Sequence, residues 1–127
     1  MQDNHYYVKQ QDNNMKIQYP WFPAQVKPNW SGHYMTKAKY KAIYRQVCRE
    51  QTEKAMETQE NTKDYTDMTF VFHKPNNRHS DLDNCLSSCK SLVDGMADAL
   101  GINDKCFKVI HISFAEQIGG FITVELK

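Results

Sequence analysis

A change of period between residues 68 and 100 constrains this chain more than any other feature. Met68–Phe72 reads as a β-strand, and Lys74–Ser80 as a polar, basic connection broken by Pro75. From Asn84 to about Leu100 the apolar residues Leu86, Cys89, Val93, Met96, Ala97 and Leu100 fit one helical stripe, which Gly101 ends. Asp81-Leu82-Asp83-Asn84 stands where the strand unit becomes the helix unit. In an extended segment residues i and i+2 point to one face. Asp81 and Asp83 are therefore expected to face one point while Leu82 turns to the core. Two converging carboxylates suit a hard divalent cation such as Mg2+, which takes one or two carboxylates and keeps waters for substrate oxygens. A single Asp-x-Asp is a weak signal, because aspartates at such a junction also serve as helix caps.

The remaining elements are placed around that unit. Met1–Asn14 reads as a loose N-terminal tail, and 15–127 as one domain. Met15, Ile17 and Tyr19 alternate with polar residues and predict a first strand. Pro20-Trp21-Phe22-Pro23 closes it, with Trp21 and Phe22 capping the core. Gln25–Met35 reads as a loop. Thr36 is the expected N-cap of a long helix reaching Gln59, with Tyr40, Ile43, Tyr44 and Val47 as its buried stripe. Phe107–Ala115 and Phe121–Leu126 read as strands joined in a hairpin at Gly119-Gly120. The order β-α-β-α-β-β predicts an α+β single domain, a mixed β-sheet with two main helices packed on it.

Charge is unevenly spread. The net charge is only +1, yet no acidic residue occurs from Asn13 to Arg49, and Glu50, Glu53, Glu57 and Glu60 follow at once. Lys37, Lys41, Arg45 and Arg49 recur every four residues on the first helix. This stripe is either a solvated helix face or a surface for a polyanion. On the second helix Lys90 and Asp94 each fall within about 20° of Asp83 on an ideal wheel. That placement allows Lys90 to serve a phosphate beside the aspartates, or to form a structural ion pair with Asp94 or Asp83.

With 40% hydrophobic and 24% charged residues in a chain of 127, the composition is that of a folded domain. No apolar run approaches a membrane span, and no apolar stretch follows a basic start, so a cytoplasmic protein with no membrane partner is expected. Cys48, Cys85, Cys89 and Cys106 are expected to be reduced. They lack the second closely spaced pair of a zinc site and are read as small buried hydrophobes.

From Met15 onward the chain resembles the RusA-type Holliday junction resolvases, many of them from phages and prophages. Four pieces carry the resemblance: Pro20-Trp21-Phe22-Pro23; Pro28-Asn29-Trp30-Ser31-Gly32-His33-Tyr34 before a basic helix with Tyr44-Arg45; Ser80-Asp81-Leu82-Asp83-Asn84 followed by Lys90 and Asp94-Gly95; and Gly101-Ile102-Asn103-Asp104. The resemblance implies a homodimeric, Mg2+- or Mn2+-dependent endonuclease that recognises four-way DNA junctions and cuts two strands symmetrically. It implies that Asp81, Asp83 and Asp104 hold the metal and that Lys90 is the catalytic lysine. DNA contacts are then expected from Lys37, Lys41, Arg45, Lys74 and Arg78. Where the family usually carries paired acids, this chain has Asn103-Asp104-Lys105. A relative of the same fold that binds junctions without cutting them is the alternative.

Overall fold

The computed structural model describes residues 14–61 and 64–127. Except for Asn14, the expected tail lies outside the described residues. The elements run β1 (Met15–Pro20), α1 (Tyr34–Thr58), β2 (Asp67–His73), α2 (Leu82–Ser87), α3 (Lys90–Leu100), β3 (Val109–Phe114) and β4 (Phe121–Leu126). Single 3-10 turns occupy Ala24–Val26 and Asp104–Cys106. The fold is α+β, one mixed four-stranded sheet carrying its two main helices on one face.

Alternation builds the sheet. Met15, Ile17 and Tyr19 of β1, Met68, Phe70 and Phe72 of β2, and Ile122, Val124 and Leu126 of β4 are all buried. The registers Met15↔Leu126 and Met68↔Leu126 put these three rows side by side on the helix-bearing face. Cys48, Leu92, Met96 and Leu100 close the core from above. The long helix is tied to β1 by polar contacts as well. Tyr44 donates to Pro20 O at 2.6 Å. Tyr19 Oη donates to Thr52 Oγ1 at 2.8 Å, and Thr52 in turn donates to Cys48 O. Burial pushes both phenols far above the ordinary tyrosine range, so they remain neutral donors.

Four expectations need correction. The strand order is β1-β4-β2-β3, so β3 and β4 are not a hairpin: β2 lies between them, parallel to β3 and antiparallel to β4. The Gly119-Gly120 turn instead caps the end of β2, with Gly119 N donating to Lys74 O and Gly120 N to His73 O. Gly120 takes φ +79°, a conformation glycine enters without strain. The second helix is two helices, broken at Ser88-Cys89. Ser87 and Ser88 turn their hydroxyls back onto Asp83 O and Asn84 O, which competes with the backbone ladder and bends helices.

Leu92, absent from the expected stripe, is fully buried; on a helical wheel it lies within about 40° of Met96. The long helix begins at Tyr34, not after Thr36, because His33 Nδ1 accepts the Met35 N–H at 3.1 Å. Its buried row is Tyr44, Cys48 and Thr52, whereas Ile43 is 48% exposed.

Candidate active site and nucleic-acid interface

Asp81 is the N-cap residue of α2, with extended backbone at φ −91°, ψ 138°. Asp83 already lies in the first helical turn. The two carboxylates are thus brought close in sequence by a cap and a helix start, not by the extended strand geometry expected. Both residues are exposed. The Asp81 side chain makes no capping bond. Its Oδ1 lies 3.1 Å from His79 Nε2, and its Oδ2 accepts Asn84 Nδ2 at 3.4 Å. Asp83 Oδ1 accepts the Asn84 N–H at 3.0 Å.

Lys90 and Asp104 meet elsewhere. Lys90 Nζ donates to Asp94 Oδ1 at 2.8 Å and to Asp104 Oδ2 at 3.4 Å. Asp104 opens the 3-10 turn that Asn103 caps through the Lys105 N–H. The hydrogen bond to Asp94, reinforced by the charges of Asp94 and Asp104, raises the Lys90 pKa against a smaller opposing cost of burial. Lys90 is therefore a firmly protonated ammonium.

Asp94 continues the line of charges to Arg45, 4.0 Å away. Arg45 closes a two-pronged pair on Asp98, Nε to Oδ2 at 2.7 Å and Nη2 to Oδ1 at 2.9 Å. The result is a ladder of alternating charge, Asp98–Arg45–Asp94–Lys90–Asp104, running from α1 across α3 to the 3-10 turn. Asp98 was invisible as a partner in the sequence, because 53 residues separate it from Arg45.

Helix α2 and the two residues after it border two separate concavities. Asn84, Cys85 and Ser88 border a cavity of about 310 Å3 that also meets Asp81, Trp21, Lys27, Lys74 and Arg78. Leu86, Ser87 and Cys89 border a separate groove with Lys90, Asp104, Phe107 and Ile110. Among the described residues, no group of three or more His, Cys, Asp or Glu side chains is gathered closely enough to hold a metal ion. The donor chemistry at Asp81 and Asp83 nevertheless fits Mg2+ or Mn2+. These are exposed, hard carboxylate oxygens, and Mg2+ binds through one or two carboxylates completed by waters and substrate phosphate.

The expected DNA contacts are distributed unevenly. Lys74 and Arg78 border the Asp81 cavity. Lys74 Nζ donates to Arg78 O at 3.1 Å and sits 5.1 Å above the Phe114 ring, which ties the loop back on itself. Lys37 Nζ is held by Lys27 O and Pro28 O. Lys41 is exposed on α1. Arg45 has its fork engaged by Asp98. Cys48, Cys85 and Cys89 are buried, free thiols, and burial pushes Cys48 up to about 12, consistent with hydrophobic roles.

Compared with models of protein families and with curated protein sequences, the chain matches none. Among the described residues, no helix is long and apolar enough to cross a membrane.

Proposed function

We propose that this protein is a Mg2+- or Mn2+-dependent endodeoxyribonuclease that resolves four-way DNA junctions by paired, symmetric phosphodiester hydrolysis, as a homodimer in the cytoplasm. One observation carries the reading: Asp81 occupies an N-cap position without capping. An N-cap aspartate ordinarily accepts an N–H from the first helical turn. Here both carboxylate oxygens point to side chains at the border of a cationic cavity, which is where a ligand for cation and phosphate belongs.

In this reading Asp81, Asp83 and Asp104 would hold the divalent cation through hard carboxylate oxygens. What the cation supplies is Lewis acidity toward phosphate and water. Lys90, kept protonated by Asp94, offsets charge that builds on the phosphate and leaving oxygen. Lys74, Arg78, Lys41 and the α1 surface position the backbone, giving salt-dependent binding with little sequence preference.

A second reading is favoured by the separation of the acids. Asp104 is engaged by Lys90 in a groove separate from the Asp81 cavity, and Lys105 adjoins it, an arrangement suited to a relative that binds junctions without cutting. Cleavage of a synthetic four-way junction beside a linear duplex of the same sequence, in Mg2+ or Mn2+, separates the two. Paired nicks in the junction alone, lost in Asp81→Asn and Asp83→Asn, are expected. Tight junction binding with no cutting in either metal establishes the second reading.

A further inference from the structure

The cavity beside Asp81 is larger and better furnished than a single phosphate requires. It measures about 310 Å3, at the lower end of the roughly 300–1,000 Å3 that small-ligand pockets occupy. Trp21 forms one wall. Its ring is fixed by stacking on Phe22 at 4.7 Å and by edge contact with Phe72 at 6.1 Å. Lys27, Lys74 and Arg78 lie on the border, against Asp81 as the one carboxylate there. Asn29 and Asn84 add amides that can both donate and accept. Cys85 also borders the cavity, together with Lys27 and Lys74. A rigid indole face, three cations and amide groups in a volume of this size match one nucleotide and exclude a duplex.

We propose that this cavity receives one unstacked nucleotide of the DNA substrate, its base against Trp21 and its phosphate on Lys27, Lys74 and Arg78. The proposal rests on the nuclease reading and specifies its substrate: DNA at a branch point, where a base leaves the stack at least cost. Base–aromatic stacking tolerates any base, and phosphate contacts carry no sequence information. The pocket thus selects an open strand without selecting a sequence.

The test uses the full chain carrying Trp30→Phe, which leaves Trp21 as its one tryptophan. Its fluorescence is titrated, without metal, with deoxythymidine 5′-monophosphate, with deoxythymidine and with inorganic phosphate. The monophosphate is expected to quench Trp21 saturably, and each half alone to bind about tenfold more weakly or worse. Lys27 is exposed, so Lys27→Gln should weaken the monophosphate about tenfold with an unchanged melting temperature. A four-way junction should displace the nucleotide.

Absence of saturable quenching overturns the proposal, as does equal binding by Lys27→Gln. A bound monophosphate that the junction does not displace overturns it too, since the site then serves free nucleotides. If the junction is cut in Mg2+ while no nucleotide binds, the pocket fails and the nuclease reading survives. If nucleotide and junction compete at Trp21 but no cutting occurs in either metal, the pocket stands and the nuclease reading fails.

Discussion

Asp81 and Asp98 are both exposed helix-associated aspartates, yet their partners assign them different work. Asp98 is tied through two hydrogen bonds to Arg45, and that bond first of all, then the guanidinium charge, holds its carboxyl below the usual range. A group whose folded pKa is depressed contributes stability above its unfolded pKa and loses it as pH falls through the folded value. Asp98→Asn should therefore lower the melting temperature at neutral pH, and the gap from the parent protein should close on acidification below the carboxylate range. A gap that persists in acid would show that the pair contributes through shape and not charge. Asp81 instead meets only the His79 ring and the Asn84 amide. Asp81→Asn should shift unfolding free energy by less than about 1 kcal/mol while abolishing junction cleavage. Denaturant titration and the cleavage assay on one preparation check both halves. A large loss of stability would return Asp81 to the role of a structural cap.

At the scale of elements, α1 and α3 approach so closely that only a glycine fits between them. A Cβ on Gly95 would stand 2.2 Å from Arg45 O and 3.0 Å from Arg49 N, both backbone atoms. Gly95→Ala should therefore destabilise the fold by about 1–3 kcal/mol through overpacking, read as a lower denaturation midpoint. An unchanged midpoint would mean that the helices separate freely, and with them the Arg45–Asp98 pair. The Asp94-Gly95 dipeptide was visible in the sequence, but its reason was not, since the contact joins residues about fifty positions apart. The same limit governs the rest of the chain. Strands β1, β2 and β4 were legible because a sheet with one buried face writes its alternation into Met15, Ile17, Tyr19 and Ile122, Val124, Leu126. The helix break was hidden because Ser87 and Ser88 are ordinary on a helix until their hydroxyls take carbonyls from the ladder. Gly119-Gly120 announced a turn correctly, but a turn signal does not say which strand its chain returns to. Asp81, Asp83, Lys90 and Asp104 were legible as a motif, whereas the Lys90 contact with Asp94 and Asp104, apart from the Asp81 cavity, was not.

The two edges of the sheet are treated in opposite ways, and the contrast bears on assembly. At β1 the edge is covered from α1: Gln59 Oε1 accepts the Lys16 N–H at 2.9 Å, Gln59 Nε2 donates to Lys16 O at 2.7 Å, and Gln51 Nε2 donates to Gln18 O at 3.3 Å. Side-chain amides there take the place of a neighbouring strand. At β3 the order of strands ends, with Val109 40% and Ile110 48% exposed. Uncovered apolar edges invite pairing, and proteins usually blunt them. Ile110 also borders the groove that holds Lys90 and Asp104, so a second copy pairing along β3 would lie against one of the two acidic groups. The proposed paired incision requires two sites, and under that proposal the predicted twofold contact lies on this edge. Sedimentation at micromolar concentration should give twice the 14.9 kDa chain mass. Ile110→Lys, which puts a charge on the edge without touching the buried rows, should give the single mass with an unchanged circular dichroism spectrum. Its cleavage of a four-way junction should fall from coordinated paired nicks to slow single nicks. A parent protein that is monomeric at concentrations where it cuts in pairs would remove the dimer from the mechanism. A dimer that survives Ile110→Lys would move the contact to another face.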